Sequence, residues 1–303
     1  MKILVTGSTG LVGNALAREL QQTGHTVCRL VRPDTNKQAG HNNGGFDVSW
    51  DPATAELGGA AVGADAVVNL AGASIAHGRW TEQRKRILRT SRIDTTRALV
   101  AALAKMAARP RVIVSASAIG YYGDRGEEML TEGSAPGSGF LSEVAKEWEA
   151  EAEKAEALGI RVVCARFGVI LAKDGGALPQ MAKPLRLGVG GRIGSGKQWM
   201  SWIALDDVVA ILRTALENGM LRGPVNVVSP QPVRNADFTE ALAKALHRPA
   251  LFPSPALALR VALGEMADAL LLTSTRVVPA ELEKVRYKFL QPDLAKTLDS
   301  LLA

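Results

Sequence analysis

The sequence VTGSTGLVG, residues 5–13, decides the fold of this 303-residue chain. It joins an apolar run over 2–7, which predicts a strand, to a pattern over 12–25, which predicts a helix. Glycines at such a junction permit a tight turn and let the main chain approach a pyrophosphate. The N-terminus of the helix then offers free N–H groups to the anion. The spacing is G-x-x-G-x-x-G and not the usual G-x-G-x-x-G, but the strand–turn–helix context predicts dinucleotide binding.

Two stretches supply the candidate dinucleotide contacts. In the glycine-rich turn they are Gly7, Thr9, Gly10, Leu11, Val12 and Gly13. A second run of small residues, NLAG (69–72), closes another predicted strand. Its main chain would lie against the adenine and ribose side of the dinucleotide, which adds Leu70, Ala71 and Gly72 to the candidates.

Short β-branched runs alternate with helical patterns along the first two thirds of the chain. Predicted strands lie at 26–32, 65–72, 111–117, 161–171 and 223–230, and predicted helices at 81–106 and 141–159. This alternation is typical of an α/β protein whose parallel sheet is covered by helices on both faces. After residue 171 the pattern changes to a Gly- and Pro-rich segment, and the C-terminal part of the chain is mainly helical.

The composition limits the class of ligand and the cellular setting. An apolar content of 47% and a charged content of 22% are typical of a soluble globular protein. The basic residues are scattered, so the net charge of +6 favours an acidic small molecule over nucleic acid. The four histidines and two cysteines show no metal-ligand spacing, and we expect no metal site. The two cysteines in predicted strands favour a reducing cytoplasm.

Neither end of the chain suggests a membrane protein. The start MKILVTG enters a strand directly and lacks the features of a signal peptide. The most apolar late stretch, 249–272, is interrupted by Arg260, Glu265 and Asp268, so we do not expect it to cross a bilayer.

The end of the second predicted strand distinguishes the two nicotinamide dinucleotides. An NAD site usually has an acidic residue there for the ribose hydroxyls, whereas an NADP site has a basic one for the 2′-phosphate. This strand ends in LVRP, with Arg32 and no carboxylate before Asp34. A guanidinium can bind a phosphate with two hydrogen bonds, so Arg32 favours NADP(H). The alternative is a solvated surface arginine.

Six segments together resemble the extended branch of the short-chain dehydrogenase/reductase superfamily. They are TGSTGLVG, NLAG, VSASAIGYYG, CARFGVIL, GSGKQWMSWIALDDVV and GPVNVVSP, in matching order over nearly the whole chain. Further motifs are similar to those of the YfcH-like epimerase family proteins, which carry a distinctive C-terminal segment. These motifs are GRW, SR, GYYGD, VGGRIGSGKQ, ALHRPALFP and GEMADALLL.

The resemblance implies a Rossmann-type doubly wound parallel sheet and a smaller, mainly helical C-terminal lobe that closes over a substrate. We expect the NADP-binding domain at 1–170 plus 203–228, and the substrate lobe at 171–202 plus 229–303. Arg92, of the SR pair, would reach a phosphate of the cofactor; a helix-surface salt bridge is the alternative. The protein would be a monomer or a homodimer that acts on a small molecule.

The catalytic pair of the superfamily is absent. Its members normally use Tyr-x-x-x-Lys, in which lysine lowers the pKa of the tyrosine that exchanges a proton during hydride transfer. No Tyr-x-x-x-Lys occurs in this chain, and Phe140 stands near the place of the tyrosine. If Lys146 were the lysine, Ser142 would occupy the tyrosine position. The ordinary proton transfer therefore cannot be assumed.

Hydroxyl groups near the end of the strand 111–117 are the remaining candidates. Ser117 matches the serine that binds the reacting oxygen in relatives, and Ser115, two residues earlier, would contact the cofactor. Tyr122 is a candidate acid or base, with a packing role as the alternative. Relatives that act on nucleotide sugars carry an arginine where this chain has Met200, so we do not expect a nucleotide sugar.

Two functions remain open from the sequence. In the first, the protein is an atypical NADP(H)-dependent oxidoreductase or epimerase that transfers hydride to or from a small carbonyl or hydroxyl substrate. In the second, it is an NADP(H)-binding regulatory or sensor protein that has lost catalysis.

Overall fold

The computed structural model describes residues 1–31, 46–76 and 78–303. The strands that build the large sheet are β1 (Lys2–Thr6), β2 (Thr26–Val31), β3 (Phe46–Asp51), β4 (Glu56–Leu57), β5 (Ala66–Asn69), β6 (Val112–Ala118), β8 (Arg161–Phe167) and β13 (Gly223–Val227). The shorter strands are β7 (Met129–Leu130), β9 (Val169–Ala172), β10 (Gly175–Gly176), β11 (Trp199–Met200), β12 (Trp202–Ala204), β14 (Val233–Arg234) and β15 (Arg276–Val277).

Helices fill most of the connections between strands. They are α1 (Leu11–Gln22), α2 (Glu82–Ala104), α3 (Phe140–Glu153), α4 (Leu178–Arg186), α5 (Leu205–Glu217), α6 (Asn235–Ala245), α7 (Ala256–Leu263), α8 (Glu265–Ala267), α9 (Ala280–Lys284) and α10 (Leu294–Leu302). Over the part of the chain that the structure describes, no helix is both long and apolar enough to span a membrane.

The large sheet has the strand order β13-β8-β6-β5-β1-β2-β3-β4. All of its neighbouring pairs are parallel except β3 and β4 at one edge. The chain moves outward from β1 through β2 to β3, and it then returns to place β5 on the other side of β1. In such a sheet a crevice opens beyond the carboxyl ends of the two strands where the order reverses. Here those strands are β1 and β5, and the glycine-rich turn directly follows β1.

Helices cover both faces of this sheet, as the alternating pattern predicts. Apolar residues of α1 and α5 pack on one face, around Ile3, Val5 and Val68. Residues of α2 and the end of α3 pack on the other, around Leu4 and Val67. Adjacent strand residues point to opposite faces, so a strand between two helical layers must be apolar throughout. The prediction of an α/β Rossmann-type sheet is therefore confirmed.

The predicted strand 161–171 is in fact two strands that belong to different sheets. It breaks at Gly168, where a Cβ atom would lie 2.7 Å from the carbonyl oxygen of Ser201. Strand β8 stays in the large sheet, while β9 pairs with β10 and β12 in a three-stranded sheet. A continuous apolar run cannot show this break, because both halves are buried and β-branched.

The C-terminal part of the chain has an apolar cluster of its own. Leu178, Leu185, Trp202, Phe238 and Leu298 are buried together in it. They come from α4, α6, α10 and the neighbouring strand β12. This cluster supports the expected smaller lobe, whereas the boundaries of the two predicted domains stay a prediction.

Candidate cofactor and active site

The turn after β1 can be built only with glycine at two of its positions. Gly7 has φ +65°, and a Cβ atom on it would lie 2.6 Å from the carbonyl oxygen of Leu70. A Cβ atom on Gly13 would lie 2.2 Å from the carbonyl oxygen of Gly7. The first contact lets β5 approach the turn, and the second lets α1 start directly against it. Both close approaches are those that a dinucleotide-binding turn requires.

The N-terminus of α1 faces the same crevice without a side-chain cap. Gly10 is the N-cap residue, and the first turn of the helix carries no acidic residue. The first N–H groups of a helix have no partner within it, so those of Leu11, Val12 and Gly13 are available to an anion. Thr9 and Gly10 are exposed at the rim, and Leu11 and Val12 are half-buried. The structure thus brings residues 7–13 together in one turn, and their binding of a pyrophosphate stays a prediction.

The segment after β5 forms the opposite wall of the turn. The Thr6 hydroxyl oxygen accepts hydrogen bonds from the N–H groups of Leu70 at 3.0 Å and Ala71 at 3.2 Å. These bonds hold the small residues 70–72 beside Gly7, where the sequence places the adenosine side of a cofactor. Leu70 and Ala71 are half-buried, and Gly72 is exposed.

A buried chain of side chains fixes this wall from behind. Thr6 donates to Asn69 Oδ1 at 2.8 Å, and Asn69 Nδ2 donates to Thr96 Oγ1 at 2.8 Å and to Ser115 Oγ at 3.1 Å. Trp148 Nε1 also donates to Thr96, at 2.9 Å. The Ser115 side chain is therefore part of the support that joins β1, β5 and β6 to α2 and α3. Sequence reasoning missed Asn69, Thr96 and Trp148.

Arg92 lies behind Gly72 and not on an exposed helix surface. Its guanidinium donates to the carbonyl oxygens of Leu88 at 3.0 Å and Ala73 at 2.9 Å, and it lies 5.2 Å from the ring centre of Trp148. Burial lowers the pKa of Arg92 to about 10, and the charge of Arg84 adds to this effect. No carboxylate among the described residues pairs with it, which favours the phosphate-binding prediction over the surface salt bridge.

Arg32, the predicted reader of the 2′-phosphate, lies outside the described residues. The strand that leads to it, β2, ends at Val31 beside β1. The carboxyl end of β2 thus lies next to the carboxyl end of β1, which the glycine-rich turn follows. Among the described residues, no three His, Cys, Asp or Glu side chains are grouped as metal ligands.

The Ser117 side chain contacts a buried ion pair between Glu149 and Arg166. Its hydroxyl donates to Glu149 Oε1 at 2.5 Å, and Ser117 is 2% exposed. Glu149 in turn receives two hydrogen bonds from Arg166, from Nε at 2.8 Å and from Nη2 at 2.7 Å. Burial lowers the pKa of the Arg166 guanidinium, but the hydrogen bonds and charge of Glu149 more than offset this, so it lies above its usual value.

Tyr122 lies on the other side of Arg166. Its hydroxyl accepts from Arg166 Nη1 at 2.9 Å and donates to Asn226 Oδ1 at 2.7 Å. The residue is fully buried, and burial raises the pKa of Tyr122 to about 12, although the charge of Arg166 opposes the rise. The role of Tyr122 as an acid or base stays a prediction, and one that its burial disfavours.

The neighbouring Tyr121 is also held by Arg166. The guanidinium carbon lies 3.5 Å from the centre of the Tyr121 ring, and the two tyrosine rings meet edge to face at 5.3 Å. The half-buried Tyr121 thereby covers the ion pair at the carboxyl end of β6. A charged residue inside the apolar strand CARFG was the signal for this network, because a buried charge needs a partner.

In this chain, residues of helix α3, which carries the catalytic pair in relatives, make structural contacts instead. Phe140 packs edge to face on Trp80, with ring centres 5.4 Å apart. The Ser142 hydroxyl donates to the carbonyl oxygens of Tyr121 at 2.8 Å and Gly137 at 3.0 Å. Lys146 is exposed. None of the three forms a tyrosine–lysine pair, in agreement with the sequence analysis.

Comparison with known proteins gives consistent matches to one family. The model of the NAD dependent epimerase/dehydratase family matches residues 3–227, and a domain of unknown function (DUF1731) matches residues 254–301. The chain is 41% identical over 288 residues to the epimerase family protein Mb2239 of Mycobacterium bovis, covering 95% of this chain and 93% of the relative. It is 39% identical to the epimerase family protein YfhF of Bacillus subtilis, covering 100% and 98%.

A solved structure extends the match to the arrangement of the whole chain. The human epimerase family protein SDR39U1 with NADPH has a TM-score of 0.88 and 32% identity, covering 100% of this chain and 99% of that one. The similarity of fold therefore extends over the whole chain, including its C-terminal segment. On its sequence, fold and turn geometry, the chain belongs to the NAD dependent epimerase/dehydratase family, with an NAD(P)-binding fold of the short-chain dehydrogenase/reductase type.

Proposed function

We propose that the protein binds NADP(H) and transfers hydride between the nicotinamide and a small carbonyl or hydroxyl substrate. The observation that carries this proposal is the turn at residues 7–13. The surrounding main chain leaves no room for a Cβ atom at Gly7 or at Gly13. A helix N-terminus without a side-chain cap follows this turn. A pyrophosphate fits these features because it needs close approach of the main chain and free N–H groups.

The residues that would hold the cofactor are those of the turn, the wall after β5 and the arginines. Leu70 and Ala71 would lie along the adenosine, and Arg92 would face a phosphate. Arg32 would bind the 2′-phosphate, since its position directly follows β2. When bound, the nicotinamide supplies or accepts a hydride. The protein would provide binding, orientation and the hydrogen-bonding groups at the end of β6.

NADP(H) is favoured over NAD(H) by two observations. The first is a guanidinium, and no carboxylate, directly after β2 in the sequence. The second is the human relative, which was solved with NADPH. The test is a fluorescence titration of NADPH and NADH with the wild type and with Arg32→Ala. We expect tighter binding of NADPH, and we expect Arg32→Ala to remove most of that preference. An unchanged preference in the variant would contradict the assignment of Arg32.

A nucleotide sugar is not the expected substrate. Met200 occupies the place where such relatives carry an arginine, and its sulfur accepts a hydrogen bond from Asn235 Nδ2 at 3.3 Å. A methionine has no charge with which to bind a diphosphate. A smaller substrate without a diphosphate fits the segment better.

A sensor without catalysis is the second candidate. It is favoured by the absence of the tyrosine–lysine pair and by the burial of Ser117 and Tyr122. A single experiment distinguishes the two functions: it follows NADPH oxidation at 340 nm with a broad panel of aldehydes and ketones. Oxidation with any member supports the oxidoreductase. Tight NADPH binding without oxidation, and without reduction of NADP⁺ by the matching alcohols, would favour the sensor.

A further inference from the structure

Hydrogen-bond accounting at the end of β6 gives the Ser117 hydroxyl a fixed direction. Arginine nitrogens are donors only, and both Glu149 oxygens accept from Arg166. The buried guanidinium therefore keeps Glu149 ionised, and an ionised carboxylate can only accept. Since Ser117 Oγ lies 2.5 Å from Glu149 Oε1, the serine must be the donor. A charged acceptor makes this bond stronger than one between neutral groups.

A serine has one proton, so the direction of that proton decides what else the serine can bind. With its proton on the side of Glu149, the Ser117 oxygen offers only lone pairs to any further group. Ser117 is the residue before the last in β6, whose carboxyl end lies beside that of β5. Ligands of open α/β sheets bind beyond these ends. A ligand carbonyl oxygen placed there would face another acceptor, whereas a hydroxyl could donate.

The same count of donors and acceptors fixes the direction of the Tyr122 hydroxyl. Tyr122 accepts from Arg166, and its own proton goes to Asn226 Oδ1. The orientation of Asn226 is fixed independently, because its Nδ2 donates to the carbonyl oxygen of Val278 at 3.0 Å. The hydroxyl groups of Ser117 and Tyr122 thus both donate their hydrogen bonds to acceptors within the protein. Neither is free to donate to a substrate carbonyl.

We infer that Glu149 is a positioning residue that fixes Ser117 as a hydrogen-bond acceptor, so that the site selects substrates carrying a hydroxyl. This inference rests on the proposed function, and it names the substrate class as an alcohol bound together with the oxidised dinucleotide; the alcohol carbon would give its hydride to the dinucleotide, and the hydroxyl proton would be released to water. The Ser117 oxygen accepts from the alcohol, and Arg166 keeps Glu149 ionised behind it. In relatives with the catalytic pair a donor faces the reacting oxygen, and here an acceptor takes its place.

The state of Glu149 can be measured without substrate or cofactor. In protein labelled with ¹³C at glutamate carboxyls, we expect the Glu149 carboxyl to give a carboxylate signal at neutral pH, because it accepts hydrogen bonds from Ser117 and from two nitrogens of Arg166. Ser117→Ala keeps the Glu149–Arg166 pair and should shift this signal. Glu149→Gln should remove it; if that variant does not fold, the shift in Ser117→Ala assigns the signal. A Glu149 carboxyl that is protonated at neutral pH would overturn the inference.

The selection of a hydroxyl is tested with matched alcohol and ketone pairs. Ser117→Ala should raise KM for the alcohol by about three- to tenfold, the value of one hydrogen bond, and leave KM for the ketone nearly unchanged. Ser229→Ala is the matched control, because Ser229 is equally buried and its hydroxyl donates to the carbonyl oxygen of Pro292. An equal or larger effect on the ketone would overturn the inference.

The failure of this inference differs from the failure of the proposed function. A wild-type protein that binds no NADPH contradicts the proposed function. A wild type that reduces ketones with NADPH but oxidises none of the matched alcohols with NADP⁺ contradicts the hydroxyl selection and leaves the proposed function standing. Both outcomes are read from the same preparation, first by fluorescence and then at 340 nm.

Discussion

Gly13 and Gly7 approach each other so closely that one additional carbon atom cannot be placed between them. A Cβ atom on Gly13 would lie 2.2 Å from the carbonyl oxygen of Gly7 and 2.8 Å from the Cα atom of Ser8. Both neighbours are main-chain atoms, which cannot move aside as a flexible side chain can. The contact places the first turn of α1 directly over the end of β1, and it therefore shapes the fold and the candidate cofactor site together.

Gly13→Ala should lower both stability and cofactor affinity. The added methyl forces the turn to open, and overpacking of this kind costs about 1–3 kcal/mol of unfolding free energy. NADPH affinity should fall as well, because the N–H groups at the start of α1 move with the turn. Gly219→Ala is the control, since Gly219 has open space around it and no positive φ. Urea unfolding and an NADPH titration measure the two effects; normal binding by Gly13→Ala would contradict the assigned site.

Loss of Arg166 alone should be more damaging than loss of the whole ion pair. Arg166→Met leaves the buried Glu149 carboxylate without its positively charged partner, which we expect to cost about 3–5 kcal/mol of unfolding free energy. The double variant Glu149→Leu/Arg166→Met removes both charges and should recover much of that loss. Urea unfolding of the wild type, both single variants and the double variant completes the cycle. A double variant no more stable than Arg166→Met would show that the pair does not act as a unit.

Arg92→Ala should weaken NADPH binding. The guanidinium is a partly buried cation without a carboxylate partner among the described residues, so an anion beside it would gain a charged hydrogen bond. Such a bond is worth about 1.5–3 kcal/mol, which corresponds to a loss of roughly tenfold or more in affinity. Arg89→Ala on the same helix is the control, because Arg89 is exposed and pairs with Glu147. Equal affinities for the two variants would favour a purely structural Arg92.

Glu132→Gln should change the pH dependence of stability. Burial raises the pKa of the Glu132 carboxyl above its ordinary value of 4.5, although N–H groups of Asn226 and Glu281 oppose the rise. The folded state therefore binds this proton more tightly than the unfolded state. Stability from Glu132 is greatest at low pH and is lost as the pH rises above about 4.5.

Glutamine cannot ionise at this place. The stability of Glu132→Gln relative to the wild type should therefore increase between about pH 4 and pH 7, because only the wild type loses stability over this range. Urea unfolding at both values measures it, with the exposed Glu240→Gln as the control. A difference that does not depend on pH would mean that Glu132 ionises without cost in the fold. Its Oε2 atom, which is buried and has no hydrogen-bond partner, argues against that result.

Local patterns predicted the large sheet because they act over short distances. The apolar runs of β1, β5, β6 and β8 must be buried on both faces, and the glycines at 7 and 13 can serve only a turn of this kind. The failure at Gly168 has the opposite origin. Its close contact is with Ser201, which is 33 residues further along the chain, and no local pattern contains such a contact.

By itself, the sequence determined that a parallel sheet begins with a glycine-rich turn and that the tyrosine–lysine pair is absent. These features depend on neighbouring residues, whose spacing fixes strand, turn and helix. Only the tertiary structure decided where the candidate hydroxyls point. Ser117, Glu149 and Arg166 come from β6, α3 and β8, and folding alone places polar atoms of Ser117 and Arg166 within 2.5–2.8 Å of the Glu149 carboxylate. The direction of the hydrogen bond between Ser117 and Glu149 cannot be seen in either sequence segment, because it depends on the charges that the fold buries around it.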